Sequence, residues 1–225
     1  MVVSWHLREN IILLQGYYKF LYLWKYLEGK MKKFDLSKNV VDMKIETWKQ
    51  SHFLIKGKVV AKMLSDIHQN PDKKNIFWYL MEISAFKWMF SVMRELLDTN
   101  IKFRNFVQMK LKDQYFPFEQ IIKLTRNVLS HTTTANINLK TDDFIKQKDY
   151  LKNQKDPVVK FQFIYSKYFP EWKWSQDYGL NILLDFRKFK DGQPFFEIIS
   201  IHQLYLLSEL CFNISEIFRL TNKIK

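Results

Sequence analysis

One hexapeptide in the second half of the chain carries side chains that could act on a phosphodiester. Residues 126–131 read Arg-Asn-Val-Leu-Ser-His, so a permanent cation and an imidazole stand five positions apart. The guanidinium of Arg126 can hold a phosphate in a planar fork of donors, and the imidazole of His131 can move protons near neutral pH. The pattern Arg-Asn-x-x-x-His is expected by chance about 0.008 times in a chain of this composition. RNA cleavage without a metal requires these two kinds of group.

The spacing of the motif predicts how its side chains are arranged on a helix. Residues five apart lie about 140° apart around the axis, so Arg126 and His131 do not share a face. Asn127 and His131 are four apart and do share one. We therefore expect Asn127 to hold one imidazole nitrogen and to select the tautomer, while the long side chain of Arg126 swings toward the helix end.

The chemistry expected of these groups is attack by the 2′-hydroxyl of RNA on the adjacent phosphate. A neutral His131 removes the proton of the hydroxyl, and a protonated His131 from a two-fold partner chain protonates the leaving 5′-oxygen. Arg126 stabilises the charge that develops on the phosphorus oxygens. The expected products are a 2′,3′-cyclic phosphate and a 5′-hydroxyl. No spacing typical of a metal site is found, and no cofactor is expected.

The motif Arg126-Asn127-x-x-x-His131 resembles that of the HEPN superfamily, in which an Arg is followed by a His after four to six residues. The resemblance covers the motif and extends to the helices over about 46–135. It implies a helical bundle that dimerises and cleaves RNA without a metal, as in toxins, abortive-infection proteins and the nuclease parts of CRISPR effectors. By this resemblance Arg126 and His131 are catalytic and Asn127 is supporting.

One departure from the family concerns regulation. Toxins of this family that are silenced by a nucleotidyltransferase antitoxin carry a Tyr two places after the His, and this chain has Thr133 there. Residues 132–134 are all Thr, and such a run at a helix end is typical of a turn. An antitoxin protein stays a candidate partner, although modification at this position is not expected.

Other residues are candidates for the pocket around the motif. Glu82, Lys87 and Arg94 lie on the third predicted helix, which should face the motif helix in a bundle, and Ser130 stands beside His131. The alternative for each is a solvated or structural side chain. Trp172 and Trp174 could stack nucleobases or pack in the core, and the Lys-rich segment 19–62 is either a surface that guides RNA or an ordinary solvated face.

Composition limits the class of protein. The chain has 225 residues, of which 47% are hydrophobic, and a formal net charge of +13. Such a surplus favours a polyanionic partner, either nucleic acid or an acidic membrane face. The alternative is a low-GC genome that favours Lys, Ile, Asn and Phe. One cysteine, Cys211, excludes a disulfide framework and fits the cytoplasm. The apolar stretch 11–27 is interrupted by charges, so we expect neither a membrane span nor a signal peptide.

Hydrophobic periodicity predicts a mainly α fold with a small β-hairpin inserted before the C-terminal helix. The expected helices lie at 5–33, 46–69, 74–98, 101–111, 118–131 with Pro117 in the first turn, 142–151 and 201–220. A β-like segment is expected at 158–165. Strands at 180–189 and 194–200 should flank the turn Lys190-Asp191-Gly192.

Together these patterns predict one HEPN-like domain over 1–225. Its helical bundle spans about 5–151, and its hairpin and last helix about 158–222. The expected function is that of a homodimeric, metal-independent endoribonuclease acting in the cytoplasm as a toxin or antiviral-defence effector. The alternative is a HEPN-like module that binds RNA, nucleotides or a protein partner without cutting.

Overall fold

The computed structural model describes residues 5–31, 40–46, 52–131, 136–153, 156–170 and 178–223. Over these ranges the chain forms eight α-helices and two separate two-stranded antiparallel sheets. The predicted mainly α class is confirmed. No helix within these ranges is both long enough and apolar enough to cross a membrane. The helices are α1 Trp5–Met31, α2 Gly57–Gln69, α3 Pro71–Thr99, α4 Ile101–Leu111, α5 Tyr115–His131, α6 Thr141–Asn153, α7 Tyr165–Tyr168 and α8 Ile201–Thr221.

Asparagine side chains mark two of the helix boundaries. The Oδ1 atom of Asn70 accepts the N–H groups of Asp72 and Lys73 at 3.1 Å, which caps the start of α3. Asn100 caps α4 in the same way by accepting the N–H of Phe103 at 2.9 Å. A side-chain oxygen there satisfies N–H groups that have no partner inside the helix. Pro117 lies in the first turn of α5, as predicted.

The second predicted helix begins later than expected. Residues Met43–Glu46 form strand β1, which pairs antiparallel with β2 at His52–Ile55, and α2 begins only at Gly57. The predicted start at Glu46 was therefore wrong. A short apolar run does not by itself distinguish a strand from a helix, and pairing between the two segments decides in favour of strands. Residues 47–51, which fall within the predicted helix at 46–69, lie outside the described residues.

The predicted hairpin is also paired differently. Strand β3, Val158–Ile164, pairs antiparallel with β4, Gly179–Asp185, and Phe161 stands opposite Ile182. The segment 194–200 is not a strand, because it contains a 3-10 turn at Phe195–Glu197 and a single bridge between Pro194 and Asn138.

The predicted turn at residues 190–192 is present but serves another purpose. Gly192 has φ of +76°, which favours glycine, and its N–H donates to the carbonyl of Leu139 at 2.8 Å. The Oδ1 atom of Asp191 accepts the N–H of Thr141 at 2.8 Å. The turn therefore docks on the segment that begins α6, and it does not join two strands.

The sheet of β3 and β4 packs against the motif helix. Alternate residues of β3 are buried, and the ring of Phe161 lies 6.0 Å from that of Phe118 on α5. The other strand of this sheet, β4, contacts α8. Helix α5 also contacts α4 and α6, so the motif helix is held by neighbours on several sides.

The chain divides into two compact units. One comprises Met1–Phe20 and Ser84–Lys225, and the other comprises Leu21–Ile83. The first holds α4 to α8, the β3–β4 sheet and the motif, and the second holds the β1–β2 pair and α2. The single HEPN-like domain stays a prediction.

Candidate active site

The motif helix buries one face and leaves the guanidinium of the motif outside. Arg126 is exposed, and its Nη1 atom donates to the Oδ1 atom of Asn127 at 3.3 Å. The apolar residues on the other face fix α5 in the core, so that the exposed side of the helix presents Arg126 at a defined position. These core residues are Phe118, Ile121, Ile122, Leu124, Val128 and Leu129.

A buried carboxylate holds the imidazole of the motif. The Oδ1 atom of Asp143 lies 2.5 Å from Nδ1 of His131, and its Oδ2 atom accepts the backbone N–H of Lys140 at 2.8 Å. The side chain of Asp143 is 1% exposed, whereas that of His131 is 48% exposed. Asp143 lies in the first turn of α6, where the helix dipole favours a negative charge. Burial with two hydrogen-bond partners fixes this carboxylate against the ring.

Asn127 binds the backbone of the same aspartate. Its Nδ2 atom donates to the backbone carbonyl of Asp143 at 3.1 Å. The expected bond from Asn127 to the imidazole is absent, because Asp143 occupies Nδ1 of His131. Asn127 therefore connects Arg126 to Asp143 and ties α5 to the first turn of α6.

Two ammonium groups lie at the end of the motif helix. Lys140 Nζ donates to the carbonyl of His131 at 3.0 Å, and Lys87 Nζ donates to the carbonyl of Ser130 at 3.5 Å. Cations are favoured there because the last carbonyls of a helix carry partial negative charge. Lys87 thus lies beside the motif, as the sequence suggested, whereas Ser130 takes part through its backbone oxygen.

Arg94 and Glu82 have different surroundings. Arg94 forms ion pairs with Asp98 at 2.6 Å and Glu119 at 3.3 Å, and it lines a groove that also contains Arg126. Glu82 belongs to the unit formed by residues 21–83, where it pairs with Lys25 at 3.5 Å. Both are therefore engaged in ion pairs, and only Arg94 lines a cavity together with the motif.

The groove has a volume of about 480 Å³, which is within the usual range of small-ligand sites. Its walls come from α3 and α5, with one contribution from α1, and they combine an indole, three cations and two carboxylates. The residues that bear most on its chemistry are Trp88, Ser91, Glu95, Lys123, Arg126 and Asn127.

Two titratable groups outside the motif are poorly suited to proton transfer at neutral pH. Burial, together with the carboxylate of Glu119, raises the pKa of the Tyr115 hydroxyl to about 12. Burial also raises the pKa of the Cys211 thiol, so this buried cysteine is no thiolate nucleophile. The ring of His131, by contrast, is 48% exposed and is held by the carboxylate of Asp143.

The arrangement defines a chemical capability. With Nδ1 bonded to a carboxylate, the ring presents Nε2 as the nitrogen free to accept or donate a proton. The carboxylate also stabilises the imidazolium that forms after a proton is accepted. No group of three or more His, Cys, Asp or Glu side chains in the described parts of the chain is placed to hold a metal ion.

Asp143, Lys140 and Lys123 were not among the residues singled out from the sequence. A signal for Asp143 was present, since Asp142 and Asp143 are adjacent acids in the first turn of a helix that follows the motif closely. Such residues are usually assigned to the helix dipole alone. Only the packing of α6 on α5 shows that one of them reaches His131. Residues 132–134, including Thr133, and the pair Trp172 and Trp174 lie outside the described residues.

The fold and the site define a mainly α-helical protein with an exposed Arg and a carboxylate-bound His on one helix. Comparisons with models of protein families, with curated proteins and with solved structures gave no match. The resemblance to the HEPN superfamily therefore depends on the motif at 126–131 and on the helical class.

Proposed function

We propose that the protein is a metal-independent endoribonuclease of the HEPN type. The observation that best supports this proposal is the contact between Nδ1 of His131 and the buried carboxylate of Asp143. An imidazole held in this way is oriented for proton transfer, and an exposed Arg belongs to the same hydrogen-bonded chain through Asn127. A basic chain with a net charge of +13 is suited to a polyanionic substrate.

The first half of the reaction is attack by the substrate on itself. Nε2 of a neutral His131 removes the proton of a ribose 2′-hydroxyl, and the 2′-oxygen forms a bond to the adjacent phosphorus. The carboxylate of Asp143 stabilises the imidazolium that results. DNA lacks the 2′-hydroxyl and is not a substrate.

The second half breaks the bond between phosphorus and the 5′-oxygen. A protonated His131 from a second copy of the chain gives its proton to the leaving oxygen, so the reaction begins and ends with one neutral and one protonated ring. The products carry a 2′,3′-cyclic phosphate and a 5′-hydroxyl. The active species is accordingly a two-fold homodimer with two motifs at one phosphate.

Charge on the phosphate is offset by the cations of the motif. Arg126 is exposed and offers its remaining N–H donors to the non-bridging oxygens. Lys87 and Lys140, at the carbonyl end of α5, add positive charge near His131. In a cell, such an activity would belong to a cytoplasmic toxin or an antiviral-defence effector, restrained by an antitoxin protein or another signal.

The test is cleavage of labelled RNA in excess EDTA by the wild type, Arg126→Ala and His131→Ala. We expect cleavage by the wild type, products with cyclic phosphate ends, and loss by about 10²-fold or more in each variant. His202→Ala and Arg187→Ala are matched controls, because each removes an exposed side chain of the same type elsewhere. Intact RNA after incubation with folded wild type would exclude the proposal.

A second candidate function is a module that binds RNA or a nucleotide without cutting it. The groove beside Arg126 favours this reading, since it offers a cavity with cationic and aromatic walls independently of His131. Binding that persists in His131→Ala, without cleavage by the wild type, would support this alternative.

A further inference from the structure

The indole of Trp88 is exposed beside the candidate site. Trp88 lies on α3 and is 53% exposed, although tryptophan is usually largely buried in folded proteins. An exposed indole next to a cluster of cations offers a face on which another flat, partly apolar group can stack.

The ring of Trp88 is held in place from one side. Its centroid lies 6.3 Å from that of Tyr17 on α1, and the two rings are nearly parallel, with an interplanar angle of 16°. Both aromatic residues line an apolar hollow of about 440 Å³ together with Gly16 and Ala85. The indole is therefore positioned by packing, which reduces the entropy lost when a ligand stacks on it.

Trp88 also lines the groove that contains Arg126 and Lys123. Helices α3 and α5 run antiparallel, because Lys87 contacts Ser130 and Arg94 contacts Glu119. This direction places Arg126 nearly level with Trp88 along the groove. An aromatic face and two cations thus lie together on one side of the motif helix.

The carboxylates of the groove lie further along it. Glu95 follows Trp88 by two turns of α3, or about 10 Å along the axis. Asp98 is one turn beyond that on the same helix, and it is neutralised by Arg94 at 2.6 Å. The end near Trp88 is therefore suited to a phosphate, while the far end offers acceptors to amino groups rather than a second phosphate site.

We infer that this groove is a nucleotide subsite in which a nucleobase stacks on Trp88 while Arg126 and Lys123 contact the adjoining phosphate. The inference rests on the proposed function for the identity of the ligand as RNA. Stacking on an aromatic side chain accepts any base, because every base has a π-face. The subsite therefore holds a base next to the phosphate at the motif and selects little for sequence.

Binding of two uncut probes of equal charge tests the subsite apart from catalysis. One is a fluorescent 2′-O-methylated RNA dodecamer, and the other is a 2′-O-methylated ribose-phosphate dodecamer without bases, so that both lack the attacking hydroxyl. In Trp88→Leu we expect affinity for the first to fall by about 5- to 150-fold and affinity for the second to stay unchanged. In Arg126→Ala we expect both affinities to fall, because phosphate contacts do not depend on the base.

Tyr150→Leu is the matched control, since it removes another exposed ring, on α6. Trp88→Phe retains a smaller stacking face and should lose less affinity than Trp88→Leu, so it serves if the leucine variant fails to fold. Equal losses for both probes, no loss for either, or no binding by the wild type would overturn the subsite. Each of these results leaves the cleavage assay in EDTA to decide the endoribonuclease proposal separately.

Discussion

Nδ1 of His131 lies 2.5 Å from Oδ1 of Asp143, and the two residues belong to different helices. His131 is the last residue of α5, and Asp143 lies in the first turn of α6. A carboxylate that is 1% exposed needs such partners, because an unpaired buried charge is costly. The contact therefore orients the imidazole and makes the start of α6 part of the candidate site.

The first prediction concerns the charge of Asp143. In Asp143→Asn the amide can still accept the N–H of Lys140, but it no longer stabilises an imidazolium. We expect kcat for RNA cleavage to fall on the order of 10²-fold with little change in KM. The measurement is steady-state cleavage of one RNA beside thermal unfolding, which separates a loss of rate from a loss of fold.

Asp142→Asn is the matched control for this prediction. Asp142 lies in the same turn of α6 but is exposed, and its substitution should leave kcat unchanged. A folded Asp143→Asn variant that cleaves at the wild-type rate would mean that the carboxylate only holds α6 in place.

Much of the helical fold could be predicted from periodicity and boundary residues. The break between α2 and α3 follows from Asn70 and Pro71, and the bounds of α4 were as expected. The assignment failed where short apolar runs formed strands, as at His52–Ile55, because local periodicity does not show which segments pair. The same limit explains the hairpin, in which β4 pairs with the earlier β3 rather than with residues 194–200.

The candidate site was predictable only in part. The spacing from Arg126 to His131 is visible in the sequence, and Lys87 lies on the neighbouring helix α3, where it contacts the carbonyl of Ser130. The imidazole nitrogen that was expected to bond to Asn127 bonds to Asp143 instead. Helical geometry compares partners on one helix only, and it does not include a side chain that comes from another helix. Long-range contacts of this kind need the packing of α6, which no local pattern contains.

The second prediction concerns the contact that helps to hold α6 on α5. Gln147 Nε2 donates to both the carbonyl and the Oε1 atom of Gln120 at 2.8 Å, and both residues are buried. In Gln147→Leu both the carbonyl and the Oε1 atom of Gln120 lose this donor, and we expect the free energy of unfolding to fall by about 1–3 kcal/mol. We expect the loss of stability to lie at the lower end of this range, about 1 kcal/mol, because the substitution also removes the buried Oε1 atom of Gln147. That atom has no hydrogen-bond partner, so its removal offsets part of the loss.

Urea denaturation of Gln147→Leu, Gln120→Leu and the double variant measures this coupling. The two losses should not add, because the side chains share one interaction. Additive losses would indicate that the two glutamines stabilise the protein independently.

The third prediction uses two glycines in the unit of residues 21–83. A Cβ at Gly57 would lie 2.6 Å from the carbonyl carbon of Val41 and 2.7 Å from the carbonyl oxygen of Val40, both backbone atoms. Gly57→Ala should therefore destabilise this unit by about 1–3 kcal/mol. At Gly29 a Cβ meets nothing within 4 Å, and Gly29→Ala should stabilise by about 0.4–1 kcal/mol.

Hydrogen exchange of the amides in α2 measures the effect of Gly57→Ala where it is expected. Faster exchange there, beside unchanged or slower exchange in Gly29→Ala, is the expected pair of results. Equal protection in the two variants would show that the segment at Val40 and Val41 moves aside without cost.

The fourth prediction is a dependence of stability on pH at the end of β4. The side chain of Arg187 donates to both carboxylate oxygens of Asp185, at 2.8 and 2.9 Å, and this lowers the pKa of Asp185 to about 2. Because the pKa is lower in the folded state, the stabilisation is complete above the ordinary value near 4 and is lost as pH falls toward 2. Arg187→Gln should therefore lower Tm by a constant amount from pH 7 to about 5, and by progressively less below about pH 4. Lys190→Gln removes a nearby exposed cation as the control and should show no such trend. If the Tm difference for Arg187→Gln stayed unchanged as the pH fell toward 2, the effect would come from packing and not from the ion pair.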